Sequence, residues 1–332
     1  MGRRRDFAAA LFAGFLMLAG PAHARCERAP DLADYATLNA SDIAAGPTVM
    51  DRIGRVVASV NVNGQGPFRF IVDTGANRSA VSDALAESLE LAPTGEGEVH
   101  TVYGVTQAPM IQVDSLRYGD ISVNAAALPV LSGAVLAGEH GLLGVDGMSD
   151  RRLRIDFDRR CIEIAPSRGV RRLGGWTTVR GELRFGHLVV MRGAVNGIPV
   201  SMFLDTGSNS TLANIALRDA LRTRAARTVH VDRVHAYTAG EPVVLDTAIA
   251  LPRVSLGQVD VRNVLAFVGD FHIFHIWDLD NEPALLVGMD VLSRTHGVAI
   301  DYGRATVQFD LREVRTGSRL RGQTSAGAAV TR

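Results

Sequence analysis

The sequence predicts an all-β protein, built mainly of strands with short helices, that folds as two lobes related by a pseudo-twofold axis. The chain contains an internal repeat whose copies lie 132 positions apart. Runs rich in Val, Ile and Phe flank Asn-Gly pairs in both copies, which is typical of β-hairpins. Helical periodicity is confined to two short stretches, residues 82–91 and 212–221.

Residues 1–24 have the three-part pattern of a secretory signal peptide. Arginines at 3–5 precede an apolar run over 7–20, and Ala-His-Ala at 22–24 provides a cleavage site. The run is too short to span a bilayer comfortably, although an uncleaved anchor is the alternative. The arginines at 4–5 also resemble a twin-arginine signal. We expect a periplasmic or secreted protein, with no stable membrane insertion after cleavage.

The composition excludes several classes of function. Basic and acidic residues balance at 35 each, so no excess of charge points to nucleic acid. Every basic residue is Arg, which removes Schiff-base and P-loop lysine chemistry. With two cysteines, neither a zinc cluster nor a disulfide-dense scaffold is available. Cys26 and Cys161 either pair in an oxidising compartment or remain two free thiols.

The repeat defines the domain organisation. After an N-terminal segment at 25–50, which is either a short pro-segment or a strand, we predict lobes at 51–168 and 169–313. The tail at 314–332 lacks periodicity and is expected to be disordered. The second copy carries about twelve extra residues, partly in the stretch 270–282.

Each copy ends an apolar strand on an aspartate, Asp73 in the first and Asp205 in the second. A charge leaving a buried strand is costly unless it is paired or useful. Two such loops on lobes related by a pseudo-twofold axis can bring the carboxylates face to face, where they share one proton. The charged carboxylate can then activate water while the protonated one polarises a carbonyl.

At this point the sequence resembles the aspartic proteases. The resemblance rests on Asp-Thr-Gly-Ala at 73–76, Asp-Thr-Gly-Ser at 205–208 and an apolar-apolar-Gly triplet 71 and 83 residues after the two aspartates. The units are similar to exported bacterial retropepsin-like proteins, fused in one chain as in the pepsins, and the resemblance covers about residues 50–312.

The resemblance implies a role for each matching position. Asp73 and Asp205 would be the catalytic dyad, and Thr74 and Thr206 would interlock the two loops. Gly144 and Gly288 would lie in the strand crossings behind them. The remaining loop residues would support the site; they are Gly75, Ala76, Gly207 and Ser208. Hairpins at 102–108 and 234–240 would form flaps, with Tyr103, Gly104 and Tyr237 as the flap residues.

Differences between the copies suggest two further interpretations. Ser208 can hydrogen-bond a carboxylate whereas Ala76 cannot, so we expect Asp205 to be the more acidic partner. His272 and His275 lie in the extra stretch, but no neighbouring carboxylate completes a metal motif. We therefore interpret that stretch as a packing or specificity element and expect no metal and no other cofactor.

These features predict an exported aspartic-type endopeptidase that acts on a protein or peptide, with one monomer sufficient for a complete site. Two alternatives come from other classes. A peptide-binding module on the same fold would not turn over substrate, and a hydrolytic metal site would need ligands beyond the two aspartates.

The repeated Asp146 and Asp290 are interpreted as turn or helix caps, and Ser79 and Thr211 as local hydrogen-bonding partners beneath the loops.

Overall fold

The computed structural model describes residues 44–119, 121–168, 173–185, 188–222, 227–236 and 243–311. Within this part the chain is mostly β, so the predicted all-β class with short helices is confirmed. The strands are β1 Ala44–Met50, β2 Val56–Val62, β3 Gln65–Val72, β4 Ala80–Ser82, β5 Pro93–His100, β6 Val105–Tyr118, β7 Ile121–Leu131, β8 Gly141–Leu143, β9 Arg151–Asp156, β10 Cys161–Pro166, β11 Thr177–Arg184, β12 Leu188–Val195, β13 Ile198–Leu204, β14 Thr211–Ala213, β15 Arg227–Ala236, β16 Val243–Leu256, β17 Val259–Val268, β18 Ala284–Val287, β19 Gly297–Asp301 and β20 Thr306–Asp310. The helices are α1 Asp83–Ser88, α2 Ile215–Leu221, α3 His272–Ile276 and α4 Met289–Leu292, with a 3-10 turn at Gly133–Leu136.

The two copies of the repeat share one strand topology. In the first lobe β2 pairs antiparallel with β3, β8 is parallel to β3, and β4 is parallel to β7 and antiparallel to β8. In the second lobe β12, β13, β14, β17 and β18 repeat these pairings in the same order. The long hairpin of β5 and β6 likewise corresponds to that of β15 and β16.

A six-stranded antiparallel sheet joins the lobes, in the order β1, β10, β9, β19, β20 and β11. The central pair comes from both copies, with Leu153 opposite Ile300 and Ile155 opposite Val298. These four side chains are buried in the main hydrophobic cluster, which contains residues of both lobes. Burial of this kind holds the two lobes in a fixed relative position.

The predicted Asn-Gly turns close the hairpins that lead to the site. Asn63 and Gly64 both have positive φ, at 49° and 76°, and Asn196 and Gly197 have φ of 48° and 80°. Two consecutive residues with positive φ suit the right-handed twist of a two-residue hairpin, and Asn and Gly adopt that conformation at low cost. These turns set the register of β3 on β2 and of β13 on β12.

Both predicted helices form, but each is shorter than its periodic stretch. The helix α1 begins after Ser82, whose side chain accepts a hydrogen bond from Leu85 N at 3.0 Å. The helix α2 begins after Asn214, which caps it in the same way through Leu217 N at 2.9 Å. The residues before Asn214 form β14, because pairing with β17 and β18 satisfies their backbone groups.

Strand crossings behind the site leave no room for side chains at two glycines. A Cβ on Gly144 would lie 2.6 Å from the Arg78 carbonyl carbon, and one on Gly288 would lie 2.5 Å from Ser210 O. Such approaches are too close for any other residue. The glycine of each apolar-apolar-Gly triplet therefore allows β8 and β18 to pass directly behind the aspartate loops.

The N-terminal strand and the cysteines bear on two sequence-based expectations. Residues 44–50 form β1, whose Pro47 lies opposite Cys161 on β10. Cys161 is buried, whereas Cys26 lies outside the described residues, so their pairing stays a prediction. The predicted signal peptide and tail also lie outside them. Among the described helices, none has the length and apolarity needed to cross a membrane.

Candidate active site

Two equivalent strand ends position the aspartates. Asp73 follows β3 and Asp205 follows β13. The Asp73 amide donates to Leu143 O at 2.9 Å, and the Asp205 amide donates to Val287 O at 3.0 Å. Each aspartate thus extends the parallel pairing of its strand with β8 or β18. Because the sheet holds the backbone up to the aspartate itself, the carboxyl group is presented on a rigid support.

The two loops interlock through their threonines. The Thr74 hydroxyl donates to Leu204 O at 2.9 Å and accepts from Thr206 N at 3.1 Å. The Thr206 hydroxyl donates to Val72 O at 2.6 Å and accepts from Thr74 N at 3.1 Å. Both threonines are buried, so these four bonds, each between residues of different lobes, form without competition from water.

The glycines bring each loop against the other lobe's carboxyl group. A Cβ on Gly75 would lie 2.7 Å from Asp205 Cγ, and a Cβ on Gly207 would overlap the Asp73 carboxyl group. The side chains of Asp73 and Asp205 are hydrogen-bonded to each other. The structure therefore brings the two sequence-predicted aspartates together in one buried pair.

Loop amides orient both carboxyl groups in the same way. Asp73 Oδ1 accepts from Gly75 N at 2.9 Å and from Ala76 N at 3.0 Å. Asp205 Oδ1 accepts from Gly207 N at 2.8 Å and from Ser208 N at 3.2 Å. One oxygen of each carboxyl group is thus held by its own loop, which leaves the other oxygen for the partner aspartate or a ligand.

Burial raises the pKa of both aspartates, and for Asp205 the charge of Asp73 raises it further. The lobes are not equivalent, because the nearby Arg55 guanidinium lowers the pKa of Asp73. Asp205 is also only 5% exposed, whereas Asp73 is half-buried. The pKa of Asp205 is therefore raised more strongly than that of Asp73, which favours the shared proton on Asp205.

The expectation that Ser208 makes Asp205 the more acidic partner is wrong. The Ser208 hydroxyl donates to Ser210 O at 2.8 Å and accepts from Ser210 N at 3.4 Å. It therefore stabilises its own turn, and only its backbone amide contacts Asp205. The asymmetry between the lobes comes instead from Arg55, a residue that the sequence analysis missed.

Arg55 is buried at the start of β2 and is fixed from two sides. Its Nε lies 2.7 Å from Asp51 Oδ2, and its Nη1 donates to Val135 O at 2.9 Å. The sequence did offer a signal for this residue, because Arg55 directly precedes the apolar run of β2 and a buried charge needs a partner or a role. That signal did not identify the partner, which depends on the turn between β1 and β2.

Further hydrogen bonds support each loop from behind. The Ser79 hydroxyl donates to Asp146 Oδ1 at 2.6 Å and accepts from Gly144 N at 3.0 Å. The second lobe repeats this arrangement. The Thr211 hydroxyl donates to Asp290 Oδ1 at 2.8 Å and accepts from Gly288 N at 3.2 Å. Ser79 and Thr211 thus bond beneath the loops as predicted, and their hydroxyls bind Asp146 and Asp290. The Asp290 carboxyl group also accepts backbone hydrogen bonds in the first turn of α4, as expected of a helix cap.

The first flap candidate lies near Asp205 and contacts the second lobe. Residues 101–104 form a turn in which Thr101 N donates to Gly104 O at 2.8 Å, at the tip of the hairpin of β5 and β6. The Tyr103 ring meets Phe271 of the second lobe edge-on, with ring centres 5.4 Å apart. Burial and the charge of Asp205 raise the pKa of Tyr103, which places the phenol near the dyad. Tyr237, the candidate of the other flap, lies outside the described residues.

The described residues contain no group of three or more metal-binding side chains. His272 and His275 point to different partners, since His272 contacts His100 on β5 and His275 contacts Asp270. The site thus consists of the two carboxyl groups, the loops that hold them and the flap near them.

Comparison with protein families agrees with this geometry. A family model described as aspartyl protease matches residues 58–146 and 191–291, together more than half of the chain. Each matched segment contains one Asp-Thr-Gly loop and the glycine crossing behind it. A search of curated proteins found no match.

Thr206→Val is expected to destabilise the fold by about 2–6 kcal/mol. The change leaves Val72 O and Thr74 N buried without the hydroxyl, and each such loss costs about 1–3 kcal/mol. Thr206→Ser is the matched control, because it keeps the hydroxyl, and it is expected to retain most of the stability. Urea unfolding measures both. Equal destabilisation of the two variants would contradict the importance of these hydrogen bonds.

Asp205→Asn is expected to be more stable than the wild type at pH 7. An unfolded Asp loses its proton near pH 4, whereas burial makes Asp205 keep its proton to higher pH. The wild type therefore loses stability relative to the variant as pH rises above about 4, by at most about 1.4 kcal/mol per pH unit. Unfolding at a series of pH values measures the difference in unfolding free energy between Asp205→Asn and the wild type. The control is Asp246→Asn, which changes an exposed aspartate. A difference in unfolding free energy that stays constant from pH 4 to 7 would contradict a raised pKa of Asp205.

Proposed function

Because the chain belongs to the aspartyl protease family, we propose that it is an exported endopeptidase that hydrolyses peptide bonds with water activated by Asp73 and Asp205. The observation that carries the proposal is the buried, hydrogen-bonded carboxyl pair on two interlocked loops. Two carboxyl groups in contact share one proton, so the pair offers a base and an acid to the same substrate carbonyl.

In the proposed first step the two aspartates have opposite roles. Asp73, ionised, accepts a proton from water as the water oxygen bonds to the carbonyl carbon. Asp205, protonated, donates its proton to the carbonyl oxygen. The product is a neutral tetrahedral diol, with Asp73 now protonated and Asp205 ionised. General acid–base catalysis of this kind avoids a high-energy charged intermediate.

The second step restores the starting protonation. The carbon–nitrogen bond breaks as Asp73 gives its proton to the amine nitrogen, and one diol hydroxyl gives its proton to Asp205. The products are a carboxylic acid and an amine. Arg55 favours this cycle, because its charge keeps Asp73 ionised before each turnover.

The substrate is proposed to be a protein or peptide bound in extended form beneath the flap. Tyr103 would lie above it, because the Tyr103 phenol lies close to Asp205. One chain supplies both aspartate loops, so a monomer is sufficient for a complete site.

Cleavage of an unstructured protein such as denatured casein tests the proposal. The mature chain, residues 25–332, is expected to cleave it, and Asp73→Asn and Asp205→Asn are each expected to lower kcat/KM at least about a thousandfold. The bell-shaped pH profile of kcat/KM should report two macroscopic pKa values of the pair. A pepstatin-like transition-state analogue should inhibit, whereas a chelator should not.

Asp114→Asn on the exposed face of β6 is the matched control and should retain activity. Full activity in either dyad variant would reject the mechanism. Peptide binding without cleavage at any pH would favour the binding module over the enzyme.

Export is proposed from the sequence of residues 1–24. The apolar run and the small-residue site predict cleavage after Ala24. N-terminal sequencing of the chain recovered from the periplasm or medium of a bacterial host is expected to begin at Arg25. Recovery of a chain that still begins at residue 1 in the membrane fraction would instead favour the uncleaved anchor.

A further inference from the structure

The extra stretch of the second copy, residues 270–282, meets the flap of the first lobe. Its helix α3 lies between β17 and β18, where the first lobe has only the 3-10 turn Gly133–Leu136 between β7 and β8. The Ile273 amide donates to Val102 O at 3.2 Å, and Phe271 packs against the edge of the Tyr103 ring. Val102 and Tyr103 also pack on a hydrophobic cluster formed by second-lobe residues. The flap is thus docked on the opposite lobe.

A histidine pair joins the flap to α3 at this contact. His100 ends β5 at the base of the flap turn, and His272 begins α3. His100 Nδ1 and His272 Nε2 are 3.0 Å apart, and the rings are stacked with centres 5.3 Å apart at an interplanar angle of 9°. At this distance one ring nitrogen donates a proton to the other, so the hydrogen bond requires at least one neutral imidazole.

The docked flap lies near the carboxyl pair. Tyr103 lies near Asp205, which is itself buried. The contacts of residues 100–103 with 271–273 hold the flap tip down, and the proposed function places the substrate beneath that tip. Undocking is therefore a step of substrate entry, and the stability of the contact affects how often the site is open.

The ionisable groups around the pair carry charges of both signs. Glu98 lies on the same strand as His100, and Asp270, His275 and Asp280 lie on the second-lobe side. Asp270 and Asp280 face His275, at 2.8 and 3.7 Å. Burial and the neighbouring His100 and His275 lower the pKa of His272.

We propose that residues 270–276 form a latch that holds the first-lobe flap closed near neutral pH and releases it in acid, when His100 and His272 are both protonated. Two imidazolium rings stacked at hydrogen-bond distance repel each other and have no acceptor between them. The latch itself does not depend on the proposed function; only its consequence, that acid opens the site to substrate, rests on it.

Linkage gives the direction of the effect. Docking lowers the pKa of His272, so the undocked state binds protons more tightly than the docked state. The docked state is therefore favoured above the ordinary histidine pKa of about 6.5 and is lost as pH falls. Each unit by which docking lowers this pKa changes the ratio of open to closed flap about tenfold.

Hydrogen–deuterium exchange of the mature chain tests the latch without using catalysis. Peptides that cover residues 98–104 and 271–277 are followed at pH 5.0 and 7.5 in the presence of a chelator, with rates corrected for intrinsic exchange. The wild type is expected to lose protection about tenfold at the lower pH. His272→Gln and His100→Gln keep a hydrogen-bonding side chain without a titrating charge, so each is expected to show protection that is nearly independent of pH.

The matched control is His275→Gln, which changes a histidine of the same helix that contacts Asp270 instead of the flap. It is expected to keep most of the pH dependence of the wild type, because burial and His100 lower the pKa of His272 more than His275 does. Protection in the wild type that does not change with pH, an unchanged pH dependence in both flap variants, or a dependence that appears only without chelator would overturn the latch.

Activity is a separate readout. If the latch operates, His272→Gln lowers the ratio of cleavage at pH 5 to that at pH 7.5, whereas His275→Gln has a much smaller effect. Failure of the latch leaves cleavage by the dyad intact, and failure of the proposed function leaves the exchange result unaffected.

Discussion

Two buried hydroxyl groups that exchange hydrogen bonds across the interface between the lobes determine most of this structure. Thr74 and Thr206 each bond the backbone of the opposite loop. Because neither hydroxyl reaches water, the loops must meet at one distance and in one orientation. The glycines that follow then contact the opposite carboxyl groups, and the carboxyl groups contact each other. Neither lobe alone can satisfy these groups, so the site exists only in the assembled pair of lobes.

The central sheet makes that meeting possible at low cost. Its middle strands, β9 and β19, come from different copies and pair over five residues. The apolar side chains on them are buried in a cluster that includes both lobes. Burial of apolar area supplies the stability, whereas the threonine contact supplies the geometry. A buried pair of carboxyl groups is costly in itself, and the rest of the interface offsets that cost.

The symmetry of the fold is broken where the chemistry needs a difference. Two carboxyl groups with identical surroundings would have no preferred proton position. Arg55 lies near Asp73 alone, and the deeper burial of Asp205 acts in the same direction. The second break is the extra stretch of the second copy, which provides the surface on which the first-lobe flap rests. Both differences arise at positions where the two copies differ in sequence, since Arg55 corresponds to His187 and the stretch 270–282 contains extra residues.

The sequence by itself determined the lobes, the hairpins and the two aspartate loops. Those features depend on local pattern and on repetition, since a period of two indicates a strand, Asn-Gly indicates a tight turn, and a repeat in register indicates two copies of one unit. The tertiary structure decided what each side chain contacts. Ser208 bonds its own turn instead of Asp205, Arg55 affects Asp73 across a turn, and His100 meets His272 from 172 positions away. Contacts of this kind depend on how two lobes pack, and no local pattern encodes the distance between residues that are remote in the chain.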